Sequence, residues 1–293
     1  MRVLEPHYFA AIKQKKKQRI KKRYVLIVLL AAGLLGGYVV YGQDLLTSTR
    51  KHIQQNSSES PATGQEATLE KSKTLKTLTN EQFKALYSSF VYPNTEPISS
   101  PPEITGDAAV DARILKIAQA RGFKLTAIPV ASIVKTDEPG LEGDDLIQPN
   151  ALIAWQGLKA AADKDGIKLK MTSAYRSIEY QRALLLRRMK DAGVTVYTIA
   201  EGFADDELDT VLNRAAPPGY SRHHTGYVID LSCNGVGLDA FVRTPCYAWL
   251  SKDNFAHAKA FGWVPSYPEG VTQNGPEPEV WEYIWVGTNS LYE

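Results

Sequence analysis

The chain has 293 residues, with 34 basic and 32 acidic side chains and a formal net charge of +2. The positive charge is concentrated at one end: residues 1–23 hold nine Lys or Arg and one Glu, a net of +8, so the other 270 residues carry −6. A mildly acidic body gives no electrostatic reason to expect a nucleic-acid partner. No protein partner is predicted either.

An apolar run follows the basic segment. Residues 24–41, YVLIVLLAAGLLGGYVVY, carry no charge and would extend about 27 Å as a helix at ~1.5 Å per residue. This predicts a transmembrane helix, and the positive-inside rule places residues 1–23 in the cytoplasm and the residues after Gly42 on the other side of the membrane. A cleaved signal peptide and a buried core helix are the alternatives. The long basic segment and the lack of an Ala-x-Ala site disfavour the first, and the flanking charges disfavour the second.

The rest of the chain divides into a linker and a domain. Residues 42–77 are polar and predict a flexible linker, whereas residues 78–293 suffice for one domain with an ordinary core. Apolar periodicity predicts helices at 108–121, 149–165, 178–192, 205–213 and 254–261, and strands at 167–173, 227–232 and 281–286. Because these strands do not alternate regularly with helices, we predict an α+β domain with a small, largely antiparallel sheet.

The strongest chemical signal is the segment SRHHTGYVID, residues 221–230. It places His223 and Asp230 seven positions apart, across Gly226, at the entrance of a predicted strand. A catalytic zinc site needs three protein ligands, and imidazole and carboxylate groups are both suitable. Taken alone, the pair also fits a structural histidine capped by an aspartate.

Two further segments accompany this motif, SAYRS at residues 173–177 and EVWEYIWVG at residues 279–287. In this order the three segments resemble the D-alanyl-D-alanine carboxypeptidase family of zinc peptidases, which includes the vancomycin-resistance D,D-carboxypeptidases and shares its fold with the hedgehog signalling domain. The resemblance runs from about residue 152 to residue 287. It implies a peptidase that hydrolyses the D-amino-acid-containing stem peptides of peptidoglycan, as a carboxypeptidase or an endopeptidase.

The resemblance also implies roles for individual residues. His223 and Asp230 would be metal ligands, Glu279 would be the general base, and Arg176 would face the substrate. The residues implied to line the peptide groove are Tyr175, Ser177, Gln181 and Ser221.

Position 282 departs from the family pattern. The family has a Glu-x-Trp-His block whose histidine is the last metal ligand, and here Glu282 stands in its place. A carboxylate also ligates zinc, so His223, Asp230 and Glu282 are the expected ligand set. Two carboxylates would weaken the ion as a Lewis acid and let harder ions such as Mn²⁺ compete better with Zn²⁺, which is the expected cofactor. The alternatives are a weakened enzyme, an inactive peptidoglycan-binding module, and a hedgehog-like interaction domain in which a metal only stabilises the fold.

Both cysteines of the chain, Cys233 and Cys246, follow Asp230 closely. In an exported domain such a pair predicts a disulfide, which would fix the segment after a metal ligand. Two separate buried thiols are the alternative.

Overall fold

A computed structural model describes residues 74–138, 141–271 and 275–293. Residues 71–293 form one compact unit. The predicted transmembrane helix at residues 24–41 lies outside the described ranges, as do the basic segment and most of the predicted linker. Among the residues that are described, no helix is both long and apolar enough to cross a membrane.

Helices and short strands alternate irregularly along the described chain, as predicted for an α+β domain. The α-helices are α1 (Asn80–Ser89), α2 (Ala108–Ala120), α3 (Pro149–Lys164), α4 (Ile178–Asp191), α5 (Val196–Ala200), α6 (Asp205–Leu212) and α7 (Pro245–Ala260), and Arg222–Thr225 and Leu238–Arg243 are 3₁₀ helices. The strands are β1 (Thr95–Pro97), β2 (Ala127–Pro129), β3 (Val134–Lys135), β4 (Leu146–Ile147), β5 (Leu169–Ser173), β6 (Val228–Cys233), β7 (Trp263–Pro265) and β8 (Glu282–Trp285).

The largest sheet of the described residues has four strands in the order β5-β6-β8-β7. All three strand pairs in it are antiparallel, which confirms the predicted sheet type. Its register sets Asp230 of β6 opposite Glu282 of β8 and, on the other side of β6, opposite Ser173 of β5. Two smaller antiparallel pairs, β1 with β2 and β3 with β4, lie outside this sheet.

The two faces of β6 are buried against different parts of the molecule. Ile229 and Leu231 belong to a core that includes Trp155 of α3 and Leu250 of α7. Their neighbour Val228 points the opposite way, into a second core that includes Phe83 of α1. Because side chains alternate along a strand, Asp230 extends the face of Val228. The carboxylates of the sheet therefore lie on the face that α1 covers.

Helix α7 departs from its predicted boundaries. Its first residue is Pro245 rather than a residue near 254, and Asp253, Asn254 and Phe255 have left-handed φ values of 50°, 58° and 61°. The Asn254 side chain accepts a hydrogen bond from the Leu78 N–H at 2.9 Å and donates one to the Leu78 carbonyl at 2.8 Å. Short polar residues tolerate the left-handed region best, and this long-range contact holds the turn in place.

The start and the end of the described chain lie side by side. Leu75 forms an antiparallel bridge with Tyr292, the Lys76 N–H donates to the Leu291 carbonyl at 2.9 Å, and the Glu293 N–H donates to Thr74 at the same distance. The buried ammonium of Lys259 also donates to the Lys76 carbonyl at 2.5 Å. These bonds fix the chain immediately before α1.

The predicted disulfide is confirmed, since Cys233 and Cys246 are bonded to each other. Cys233 is the last residue of β6, and Cys246 lies in the first turn of α7. The bond therefore joins the end of the strand that carries Asp230 to the helix behind the sheet.

Candidate active site

The sheet register and one short helix bring three predicted ligands together. Asp230 and Glu282 are direct cross-strand partners, so their side chains leave the sheet on the same face. His223 comes from the 3₁₀ helix before β6, which ends at Gly226 in the left-handed conformation with φ of 73°. A Cβ at Gly226 would lie 3.1 Å from Cγ of Gln148, so both its backbone angle and its surroundings favour glycine here.

The donor atoms of His223, Asp230 and Glu282 all lie within 4.8 Å of one another. His223 Nε2 is 3.4 Å from Asp230 Oδ2 and 3.4 Å from Glu282 Oε2. Ligands of a tetrahedral zinc ion, with bonds of about 2.0–2.1 Å, are separated by about 3.3–3.4 Å. These side chains thus have the spacing of a metal ligand set.

Two buried atoms of this group have no hydrogen-bond partner among the residues that the structure describes, His223 Nε2 and Asp230 Oδ1. The other ring nitrogen, His223 Nδ1, donates to the Ala174 carbonyl at 2.6 Å and so fixes the ring. A buried polar atom without a partner costs free energy, which a bound cation would recover. The residues present therefore fit a divalent metal.

The three ligand candidates interact strongly with one another. Burial and Arg176 lower the pKa of His223, but Asp230 and Glu282 outweigh them and raise it to about 9. Burial raises the pKa of Glu282, but His223 and Arg222 outweigh it and lower this pKa to about 2. The two carboxylates therefore create an electrostatic environment that favours a cation beside His223.

An arginine contacts each carboxylate. Arg176 Nη2 donates to Asp230 Oδ2 at 2.5 Å, and Arg176 Nε donates to Ser173 Oγ at 3.0 Å. Arg222 Nη1 donates to Glu282 Oε1 at 3.0 Å. The sequence motif includes Arg222, but its partner lies 60 residues away, and nothing in the local pattern assigned it a role.

Glu279 is half-buried and lines the same cavity as Glu282. Burial, followed by the neighbouring Glu282 and Asp230 carboxylates, raises the pKa of Glu279 well above its ordinary value. A carboxyl group with a raised pKa holds a proton more readily and is suited to general acid–base work. The structure thus brings the predicted base to the predicted ligands.

A cavity of about 630 Å³ opens onto this group. It is lined by Arg176, Gln181, Ser221 and His223, so two of the four predicted groove residues reach it. Gln181 is almost fully buried. Its Nε2 donates to the Ala216 carbonyl at 2.8 Å, and its Oε1 has no hydrogen-bond partner in residues 74–138, 141–271 and 275–293. That free carbonyl oxygen is suited to accept a hydrogen bond from a peptide N–H.

The other two predicted groove residues, Tyr175 and Ser177, are not among the described residues that line this cavity. The Ser177 hydroxyl caps α4 by accepting from the Tyr180 N–H at 3.2 Å, and its backbone N–H donates to Asp144 Oδ2 at 3.0 Å. Tyr175 is half-buried beside the loop that contains Asp144. Their contact with substrate stays a prediction.

One wall of the cavity comes from the part of the chain before the three motifs. Helix α1 contributes Lys84 and Tyr87, and the segment before β2 contributes Phe123 and Lys124. No local motif marks these residues, because a helix in the sequence does not reveal which face of a distant sheet it covers.

The central and C-terminal part of the chain, residues 144–288, matches the family model described as VanY: D-alanyl-D-alanine carboxypeptidase. A curated D-alanyl-D-alanine carboxypeptidase of Enterococcus faecalis is 29% identical over 133 residues, which are 45% of this chain and 45% of that protein. The chain thus matches less than half the length of this relative. The family resemblance predicted from the three motifs is confirmed.

Solved structures of lower similarity include an LD-carboxypeptidase studied for peptidoglycan recognition, with 24% identity, a TM-score of 0.42, and coverage of 55% of this chain and 71% of that one. A mutant of the vancomycin resistance D,D-pentapeptidase VanY in complex with Zn(II) has 22% identity, a TM-score of 0.39, and coverage of 56% of this chain and 85% of that one.

Proposed function

We propose that this chain, whose residues 144–288 match the model of the D-alanyl-D-alanine carboxypeptidase family, is a metal-dependent peptidase that hydrolyses D-amino-acid-containing stem peptides of peptidoglycan. The observation that carries the proposal is the convergence of His223, Asp230 and Glu282 at metal-ligand spacing. His223 and Glu282 line one cavity together with Glu279. The substrate class comes from the family and from the curated relative. Zinc is the proposed ion, and Mn²⁺ is a competitor because two of the three ligands are hard carboxylates.

The residues around the cavity divide the work of amide hydrolysis. A divalent ion held by His223, Asp230 and Glu282 would supply a Lewis acid that polarises the scissile carbonyl and lowers the pKa of water. Glu279 takes the proton of the attacking water and gives it to the leaving amine, as its raised pKa favours. Arg176, which lines the cavity, places positive charge near the developing oxyanion or the substrate carboxylate.

Gln181 and Ser221 are proposed to position the peptide. Both are buried residues that line the cavity, and Gln181 offers a carbonyl oxygen without a partner in the described part of the chain. Peptide recognition by a groove depends on such fixed hydrogen-bonding groups. A Gln181→Leu variant would raise KM while metal content stays constant.

The first test is the metal content of the full-length chain, measured by elemental analysis and compared with His223→Ala and the matched control His257→Ala. His257 packs on the Trp249 ring, with the ring centroids 4.0 Å apart, and its Nδ1 bonds to the Trp249 carbonyl. We expect about one zinc or manganese ion per chain, lost only from His223→Ala. A full-length chain that takes up neither ion would reject the proposal and favour a peptide-binding module without activity.

The second test separates catalysis from metal binding. Glu279→Gln is expected to keep the metal and to lower kcat for release of D-alanine from a stem pentapeptide by about 10²–10⁴-fold. Amino-acid analysis of the products distinguishes removal of a terminal D-alanine from cleavage at an internal bond. Equal activity of Glu279→Gln and the unaltered chain would remove Glu279 from the mechanism.

We also propose that residues 24–41 anchor the chain in a bacterial cytoplasmic membrane, with residues 78–293 in the periplasm or outside the cell. The support is the charge-free apolar run next to nine basic residues, together with a substrate class found in the cell wall. A protease added to intact spheroplasts should digest residues 78–293 and leave an N-terminal tag protected. Protection of both ends would contradict this topology.

A further inference from the structure

The guanidinium of Arg222 has several contacts within the site, and the function proposed above gives this residue no role. Its guanidinium lies 4.6 Å from the centroid of the Tyr267 ring and 5.3 Å from that of Tyr87. It donates to Glu282 Oε1 at 3.0 Å and reaches the Ser266 carbonyl at 3.3 Å. Contacts with these two aromatic rings and with two hydrogen-bond acceptors hold the guanidinium in one place.

The two carboxylate oxygens of Glu282 have different neighbours. Oε1 accepts from Arg222, whereas Oε2 lies 3.4 Å from His223 Nε2, within the group of metal-ligand atoms. A carboxylate without such a partner binds a cation through one or both oxygens. With Oε1 held by a charged donor, Glu282 presents a single oxygen.

The charges show why such a partner is useful. Catalytic zinc sites commonly use two neutral histidines and one carboxylate, or another set with few negative charges. Here His223 is joined by two carboxylates, which would cancel the charge of a dication and weaken it as a Lewis acid. Arg222 offsets the charge of Glu282, as Arg176 does for Asp230.

We propose that Arg222 is a positioning residue that makes Glu282 act as a one-oxygen ligand of reduced charge, and thereby keeps this site selective for zinc over harder divalent ions. The inference rests on the metal site of the proposed function, but not on peptidase activity. Tyr87 of α1 and Tyr267 enclose the same guanidinium, so the N-terminal part of the domain contributes to this property of the site.

The test measures Zn²⁺ and Mn²⁺ affinities of full-length Arg222→Met, Arg222→Lys and unaltered chains, with Arg113→Met as the matched control. Arg113 forms a two-point ion pair with Asp205 between α2 and α6. In Arg222→Met, Glu282 regains its full charge and its second oxygen, so the preference for zinc over manganese should fall by about tenfold. Arg222→Lys keeps the charge and should recover most of the preference.

Equal losses of affinity for both ions in Arg222→Met would show a merely structural role and overturn the inference. Since that variant leaves a buried carboxylate without its arginine, a second pair of variants guards against misfolding. In Glu282→His the neutral ligand no longer needs Arg222, whose charge then only repels the metal. The double variant Glu282→His/Arg222→Met should therefore bind zinc more tightly than Glu282→His alone, and equal affinities would count against the proposal.

The same experiment separates failure of this inference from failure of the proposed function. An unaltered chain that binds zinc and shows the predicted selectivity, yet hydrolyses no stem peptide, supports Arg222 as a positioning residue and contradicts the peptidase. An unaltered chain that binds neither ion contradicts both. The cobalt-substituted protein gives an independent readout, because a second Glu282 oxygen raises the coordination number and weakens the visible absorption bands of Arg222→Met.

Discussion

His224, the neighbour of the proposed ligand His223, is a buried neutral imidazole. Its Nδ1 donates to the Arg176 carbonyl at 2.6 Å, and its Nε2 accepts from the Gly219 N–H at 3.0 Å. Protonation of Nε2 would destroy the second bond and place a charge in a dry interior. Burial accordingly lowers the pKa of His224 to about 4. The ring thus links the segments that carry Arg176 and Gly219, and it does so only while it is neutral.

This arrangement predicts a loss of stability in acid. Above pH ~6.5 His224 is neutral in both the folded and the unfolded chain; between pH ~6.5 and about 4 only the unfolded chain takes up the proton. The free energy of unfolding should therefore fall over this window, by up to about 3 kcal/mol from this residue, and level off below it. Urea denaturation at several pH values should show this fall, and His224→Gln should remove it. An equal pH dependence in the two proteins would contradict the assignment.

At the scale of single residues, the sequence predicts which side chains form the site but not which distant residues they contact. His223 and Asp230 lie in one motif, and Glu279 and Glu282 lie in another, so their identities are visible before folding. Their convergence depends on the pairing of β6 with β8, which is invisible in either motif alone. Arg222 was missed for the same reason, since a buried ion pair across 60 residues leaves no local periodicity.

At the scale of helices and strands, the disulfide between β6 and α7 predicts a measurable contribution to the stability of the fold. Cys233 ends β6 and Cys246 is fully buried in α7, with a separation of 13 residues. Closing a loop of this length stabilises a fold by roughly 2–3 kcal/mol in the chain-entropy model. Thermal unfolding should therefore occur at a lower temperature under reducing conditions. The Cys233→Ala/Cys246→Ala variant should resemble the reduced chain and be insensitive to the reductant; an unchanged melting temperature would show that the bond adds no stability.

Helices and strands were predicted correctly where the local pattern of apolar residues determines them. The prediction failed where a contact with a distant residue determines the local backbone. Helices α2, α3, α4 and α6 and strands β5, β6 and β8 lie close to their predicted positions. Helix α1 was not predicted, although Thr79 forms a capping box with Gln82 at its start. The turn inside α7 depends on Asn254 bonding to Leu78, 176 residues earlier, which no window of sequence contains.

At the scale of the whole molecule, the described residues that line the cavity include more basic than acidic side chains. The acidic ones are Glu279 and Glu282, and the basic ones are Lys84, Lys124, Arg176, Arg214 and Arg222. Lys84 and Lys124 come from residues before 144, outside the family match. A peptide with free carboxylates would therefore be attracted to the cavity, in part by residues that lie outside the match to the family model.

This distribution predicts a salt-dependent KM for an anionic stem peptide. The Lys124→Ala variant should raise KM by about two- to fivefold at low salt, because Lys124 is exposed and an exposed charge contact is worth less than ~1 kcal/mol, and kcat should stay constant. The difference should shrink as salt is added. Lys168→Ala, an exposed cation near Asp163, is the matched control. Identical salt dependence in all three proteins would contradict a role for this wall.

The ladder between residues 74–76 and 291–293 has a mechanical consequence. If the chain is tethered through its N-terminal side, as its sequence predicts, any pulling force enters the domain at these hydrogen bonds before it reaches α1. The ladder and the Lys259 contact then bear the load, while the wall of the cavity stays relaxed. A chain shortened to Ser290 would transmit the same force directly to α1, and thus to the cavity wall that includes Tyr87.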